Sequence, residues 1–246
     1  MKFNSLTLFL ISTIVFSSCS DNNDSNNFPI TSANITGSVL LYNEGTLAIE
    51  NSIMTVTLEG TTPLISANTA ANGNFTLNNV PFGTYTVIYE KEGFGTFKKF
   101  NLVQNNTAVS IPITDIPSLG QSSSTEISNL SVSIVGNDAV ISVTTTPGGN
   151  SVNRRYIRYF LSNSPNVSAA NYRYASEAFT SQINPKDLTI TSSVLSSSGF
   201  SAGDVIYVKA YGDSYYSNKY NDTNLGRIIF PNLNIVSAAA VSFTMP

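Results

Sequence analysis

From about Ile35 onward, apolar and polar residues alternate in short runs separated by turn signals, a pattern that recurs about every 8–12 residues. Met54, Val56 and Leu58 alternate with Thr55, Thr57 and Glu59. An Asn72-Gly73 turn precedes Phe75 and Leu77. Tyr85, Val87 and Tyr89 alternate with Thr84, Thr86 and Ile88, and Val109, Ile111 and Ile113 alternate with Ser110, Pro112 and Thr114. A period of two places each apolar set on one face of a strand, while Asn-Gly and Pro-Phe-Gly set the reversals. No helical period of useful length appears, so the pattern predicts an all-β chain.

The alternation stops at residues 117–125 (PSLGQSSST), which have the composition of a linker, and then resumes. Val132 and Ile134 begin a strand, Gly136-Asn137-Asp138 turns it, and Ile141 and Val143 continue it. Pro147-Gly148-Gly149-Asn150 is a further turn, and Val241 with Phe243 closes the series. Residues 156–161 (YIRYFL) and 206–211 (IYVKAY) are the strongest strands. The predicted organisation is two tandem β-sandwiches, residues 34–116 and 126–246, the second with an insertion or extra strands between Asn163 and Ser201.

The N-terminus is read apart from the fold. Lys2 is followed by an apolar run of 11 residues, Leu6 to Phe16, long enough for a signal-peptide core and too short to span a bilayer. Ser17, Ser18 and Cys19, the single cysteine, come next. This arrangement resembles a bacterial lipoprotein signal. The resemblance implies removal of residues 1–18, lipidation of Cys19 and attachment to the outer membrane. Residues 20–24 (SDNND) resemble the acidic export signal of Bacteroidetes surface lipoproteins, which implies a cell-surface location. Residues 19–33 then read as a polar, flexible tether.

Two further resemblances follow from particular motifs. Gly37-Ser38-Val39, Ala71-Asn72-Gly73-Asn74-Phe75, residues 80–87 (VPFGTYTV) and Glu92-Gly93-Phe94 resemble the carboxypeptidase regulatory-like module. That family folds as a transthyretin-like sandwich and is a non-catalytic accessory. Residues 203–211 (GDVIYVKAY) resemble the penultimate strand of a fibronectin type III-like domain.

Composition removes several function classes. The chain has no histidine, so Ser-His-Asp and Cys-His catalysis and the usual zinc ligand sets are absent. Neither a Walker-type phosphate loop nor a dinucleotide fingerprint occurs. Charged residues make up 11%, and the formal net charge is −3, which gives no footprint for nucleic acid. The expectation is a chain without cofactor, metal or enzymatic activity.

Candidate binding residues fall in two groups. If Ile157, Tyr159 and Leu161 face the core, then Arg154, Tyr156, Arg158 and Phe160 face outward. If Ile206, Val208 and Ala210 face inward, Tyr207, Lys209 and Tyr211 face outward. In a fibronectin-like sheet these strands are neighbours, and their outer faces predict one patch of arginine, lysine and tyrosine. That patch is either a recognition surface or a set of cross-strand pairs on an exposed sheet. The second group is a loop carrying Tyr215, Tyr216 and Tyr220 among Asp213, Asn218, Asn221 and Asp222. Tyrosines flanked by amides and acids suit a glycan or protein ligand. The acids and amides could also hold Ca²⁺, although their spacing matches no EF-hand loop. Expected partners are the membrane, through the lipid, and a glycan or an envelope protein.

Overall fold

The computed structural model describes residues 30–105, 110–112 and 115–246. The leader, Cys19, most of the tether, Val109 and Ile113 lie outside the described residues. The chain is all-β, and residues 31–246 form one unit built from two sandwiches.

The first sandwich contains β1 (Ser32–Ser38), β2 (Leu40–Tyr42), β3 (Thr55–Glu59), β4 (Ile65–Asn68), β5 (Asn74–Pro81), β6 (Gly83–Glu90), β7 (Phe97–Gln104), β8 (Ser110–Pro112) and β9 (Ser118–Gly120). One sheet runs β5-β1-β8 and the facing one β4-β3-β6-β7, with a short β2-β9 pair beside them. Between the sheets lie Ile35, Met54, Val56, Leu58, Phe75, Leu77, Val87 and Tyr89, all buried, as the alternation requires. Burying each such aliphatic side chain contributes about 1.5–3 kcal/mol. The Tyr89 hydroxyl is buried without a hydrogen-bond partner among the described residues. Burial, with the Asp115 charge as a smaller cause, pushes its ionisation well above the usual tyrosine range.

The segment that composition reads as a linker contributes to this sandwich. Ser118–Gly120 runs parallel to β2, pairing Leu40 with Ser118 and Tyr42 with Gly120, and Leu119 enters the core.

The second sandwich contains β10 (Glu126–Val135), β11 (Asp138–Thr146), β12 (Arg155–Ser162), β13 (Tyr174–Ala175), β14 (Phe179–Ser181), β15 (Lys186–Ile190), helix α1 (Ser192–Ser197), β16 (Val205–Asp213), β17 (Tyr220–Asp222), β18 (Arg227–Ile229) and β19 (Val241–Thr244). The sheet β10-β11-β15 faces β13-β12-β16-β19, with β14 also paired to β12. The β10–β11 register pairs Val135 with Asp138, so Gly136-Asn137 is a two-residue turn, and Gly136 sits at φ +61°. A positive φ at the first turn position is what such hairpins require. Ile141, Val143, Ile157, Tyr159, Leu161, Ile206 and Val208 meet in the core. Burial also pushes the Tyr159 hydroxyl above its ordinary range, aided by Tyr174.

The extra segment after β12 forms β13, β14, β15 and α1, and with the chain that follows β18 it builds a third layer. Val167 and Phe230 pack on Phe160 and Tyr211, supported by Ala169, Tyr172 and Leu233. The outer face of β12–β16 is therefore covered.

Candidate functional site

The sheet-face group is placed as the register predicts, yet it is not a surface. Strands β12 and β16 are antiparallel neighbours, with Arg158 opposite Tyr211 and Phe160 opposite Lys209. Arg158 is only 1% exposed. Its Nε donates to Asp213 Oδ2 at 2.7 Å, Nη1 donates to the Ser176 carbonyl, and its guanidinium lies 4.4 Å from the Phe230 ring centre. Tyr156 and Tyr211 are buried and Tyr207 is half-buried, while Lys209 Nζ donates to the Ala238 carbonyl. The expectation that Tyr156, Arg158 and Tyr211 face solvent is corrected here: the third layer covers Arg158 and Tyr211, and Tyr215 with the Gly45 loop covers Tyr156. In this group Arg154 is exposed, beside the half-buried Arg155.

Burial raises the Asp213 carboxyl above the usual carboxylate range, against the pull of Arg158 and the Ser214 N–H. The calcium alternative loses its ligands in the same way. Asp213 is committed to Arg158, and Asp222 Oδ1 accepts from the Asn224 and Leu225 backbone N–H groups, closing the β17–β18 turn. No cluster of three or more acidic or cysteine side chains that could hold a metal occurs among the described residues.

The tyrosine loop is placed at the junction of the two sandwiches. After β16 the chain is tied down at each step. Ser214 Oγ donates to the Gln121 carbonyl at 2.6 Å, and Tyr215 N donates to the Glu44 carbonyl at 2.9 Å. Asn218 adopts the left-handed conformation, φ +52°, which asparagine tolerates better than most residues. Its buried amide accepts from Gly120 N at 2.8 Å and donates to Gly120 O at 3.0 Å and to Asn232 Oδ1 at 2.9 Å. Asn232 is also fully buried; its Nδ2 donates to Gly120 O and Tyr216 O, each at 2.9 Å, and its Oδ1 accepts from Gly95 N at 3.0 Å. Two asparagines of the second sandwich thus satisfy backbone groups of the first. The approach is close: a Cβ on Gly120 would lie 2.5 Å from the Tyr216 carbonyl oxygen, and one on Gly95 would lie 2.4 Å from that of Pro231.

A second tie is made by Glu44. Its carboxylate accepts from Ser124 N at 2.7 Å and from Arg155 Nη1 at 3.0 Å. The sequence marks Asn218 only as a member of the tyrosine loop, and Asn232 and Glu44 not at all, because nothing in an Asn-rich chain tells which amides are buried.

The three tyrosines separate in role. Tyr220 begins β17 and packs on Phe97 and Phe100 of the first sandwich, with ring centres 6.1 Å away in both cases. Tyr216 stacks on Tyr42 at 4.1 Å. Tyr215 is 51% exposed and touches Tyr216 edge-on at 4.9 Å and Tyr156 at 5.7 Å. A row of four rings, Tyr42, Tyr216, Tyr215 and Tyr156, therefore crosses the junction.

Two clefts open along this row. The first, about 630 Å³, lies between Lys98, Lys99 and Asp115 of one sandwich and Tyr215, Tyr216 and Lys219 of the other. The second, about 470 Å³, lies between the Asn43–Leu47 loop and residues 151–156. Each cleft is lined by one carboxylate, Asp115 in the first and Glu44 in the second. Among the described residues, neither cleft offers the facing pair of acids that glycoside hydrolysis uses.

No protein-family model matches this chain, and no curated protein matches it. Among solved structures it is similar to a DUF3823 family protein from Parabacteroides merdae, at 12% identity and TM-score 0.30, over 87% of this chain and 99% of that one. It is similar to a proposed carbohydrate binding protein from Bacteroides uniformis, at 14% identity and TM-score 0.28, over 87% and 99%. Part of the chain, 37%, is similar to 58% of a chain in a type II cohesin–X-dockerin complex from Acetivibrio cellulolyticus, at 22% identity and TM-score 0.30. At such TM-scores no property of those proteins transfers to this one.

Proposed function

We propose that this chain is a non-catalytic, lipid-anchored protein of the outer membrane, facing the cell surface, that binds a glycan or surface polymer at the junction of its two sandwiches. The observation that carries the reading is Tyr215, a half-exposed ring held on a rigid support at the rim of a cleft lined by Tyr216, Asn218 and Asn221. A flat ring stacks on a sugar face, and the exposed Asn221 amide beside it can address hydroxyl groups, while Asn218 is committed to the junction. The first sandwich forms one wall of the site as well as carrying the second. The leader and Cys19 supply the anchoring part of the proposal.

A second reading, a structural protein that packs on envelope partners, draws on Leu47 and Val152. These residues line the second cleft and are 67% and 85% exposed.

The test uses residues 20–246 against immobilised neutral and acidic polysaccharides. Saturable retention is expected, and Tyr215→Ala is expected to weaken it by at least about tenfold. Lys186→Ala, on the edge strand β15, serves as the control and is expected to change nothing. Retention that is indifferent to Tyr215→Ala removes the site; absence of retention on every polymer removes the glycan reading in favour of the envelope-partner one.

A further inference from the structure

The two clefts share more than proximity. Each takes one wall from each sandwich, so the Asn218–Asn232 lock that joins the sandwiches also fixes the width of both. Tyr156 lines the second cleft, Tyr216 lines the first, and the Tyr215 ring stands between them within 5.7 Å of one and 4.9 Å of the other.

Their charge is opposite to that of the whole molecule. Lys98, Lys99 and Lys219 line the first cleft and Arg154 and Arg155 the second, against the single acids Asp115 and Glu44. The chain as a whole carries −3. The lysines do have partners: Lys98 with Glu59, Lys99 with Asp115, and Lys219 with Glu177, at 2.7–3.1 Å. Glu59, Asp115 and Glu177 are largely exposed in these pairs, and a solvated ion pair of this kind contributes about 0–1 kcal/mol. A ligand carboxylate or sulfate can replace such a partner at little cost. Arg155 is only partly satisfied by Glu44, because its Nε has no hydrogen-bond partner among the described residues. Arg154 is exposed and makes no ion pair among the described residues.

We infer that the two clefts are halves of one groove, and that it takes a linear anionic glycan, uronate or sulfated, lying across Tyr215 with acidic groups in both halves. The inference rests on the glycan-binding reading above and specifies its ligand. A polymer that fills one cleft reaches the other as an intramolecular event, and linked contacts of this kind raise affinity without any new surface.

The test is calorimetric titration of residues 20–246 with a trimer and a decamer of galacturonate, a chondroitin sulfate decamer, neutral dextran and poly-L-glutamate. The galacturonate or the chondroitin sulfate decamer is expected to bind one per protein, with an affinity that falls as salt is raised. The galacturonate arm adds the length test, its decamer binding on the order of a hundredfold tighter than its trimer. Lys219→Gln and Arg154→Gln, at opposite ends and both on the surface, are each expected to weaken the decamer about tenfold with unchanged thermal unfolding. Two independent sites, each removed by one variant alone, overturn the single groove, as does a galacturonate decamer no tighter than its trimer. Dextran binding as tightly as the acidic decamers overturns the anionic ligand but leaves the glycan reading standing. Poly-L-glutamate binding equally well reduces the site to unspecific charge attraction and overturns the sugar. Binding of none of these polymers overturns both the inference and the reading beneath it.

Discussion

The outer faces of the two large sheets show how the same strand pattern meets different surroundings. In the first sandwich, Thr57, Glu59 and Lys98 stand on the outer face of β3–β6–β7, and the Glu59–Lys98 pair is open to water at 46% and 25% side-chain exposure. In the second, Arg158 and Asp213 occupy the matching face of β12–β16, and their side chains are 2% and 0% exposed. Both strand sets alternate by two; the Arg158–Asp213 pair joins the neighbouring strands β12 and β16, while Glu59–Lys98 reaches from β3 across β6 to β7. What differs is the medium, because Val167, Tyr172 and Phe230 close over the second face, while the first pair keeps 46% and 25% side-chain exposure. Alternation tells which face a residue occupies; it is silent on whether that face is wet.

This contrast can be broken most forcefully at the buried pair. Asp213→Ala leaves the Arg158 guanidinium buried and uncompensated, and a loss of about 3–5 kcal/mol of stability is expected in urea unfolding. Glu59→Ala at the solvated pair is expected to cost less than about 1 kcal/mol. Equal costs at the two positions would sink the covered-face description. The double replacement Arg158→Met/Asp213→Leu is expected to recover most of the loss, since it removes both charges together.

A smaller effect is expected where the sandwiches meet. Gly120→Ala drives a Cβ to 2.5 Å from the Tyr216 carbonyl oxygen and disturbs the Asn218 and Asn232 bonds at the same backbone position. A loss of about 1–3 kcal/mol is expected, the usual range for overpacking. The single unfolding transition is expected to split into two when followed by calorimetry. Retention of one sharp transition with unchanged midpoint would show that the sandwiches are coupled elsewhere.

The smallest effect compares the two cores through their tyrosines. Burial raises the ionisation of both Tyr89 and Tyr159 above the ordinary tyrosine value. The folded chain therefore holds these protons at pH values where the unfolded chain has released them. Stability is unaffected below about pH 10 and falls above it, by up to about 1.4 kcal/mol per pH unit for each tyrosine. Tyr89→Phe and Tyr159→Phe are each expected to lower the alkaline slope by up to about 1.4 kcal/mol per pH unit, the rest coming from other raised tyrosines such as Tyr156 and Tyr211. Denaturant midpoints measured on either side of about pH 10 check it, and a slope untouched by either variant refutes the assignment.

Much of this architecture is legible in the sequence because strand periodicity is a local property. Val56, Leu58, Ile141, Val143, Ile157 and Leu161 are all buried on the face that their spacing assigns, and β12 and β16 are neighbours as expected. The site was legible only in part. Tyr215 and Tyr216 lie on a cleft, but Tyr220 packs on the first sandwich, and Arg158 and Tyr211 are inside. These outcomes depend on residues distant along the chain: Phe230 above Arg158, Phe97 against Tyr220, Asn232 beneath Tyr216. No local period encodes which remote segment will arrive. Residues 117–125 make the same point. Their composition suits a linker, and only the parallel partner β2 turns Ser118–Gly120 into a strand.

The asparagine lock has a consequence for how such a chain can change over time. Sandwich domains are commonly exchanged between proteins as separable pieces, each surviving on its own surface. Here Asn218 and Asn232 complete the backbone hydrogen bonding of Gly95 and Gly120 across the boundary. A replacement second domain of the same fold, lacking Asn218 and Asn232, would leave the Gly95 and Gly120 backbone groups unanswered. Recombination at residues 117–125 would therefore cost both sandwiches the hydrogen bonds that join them.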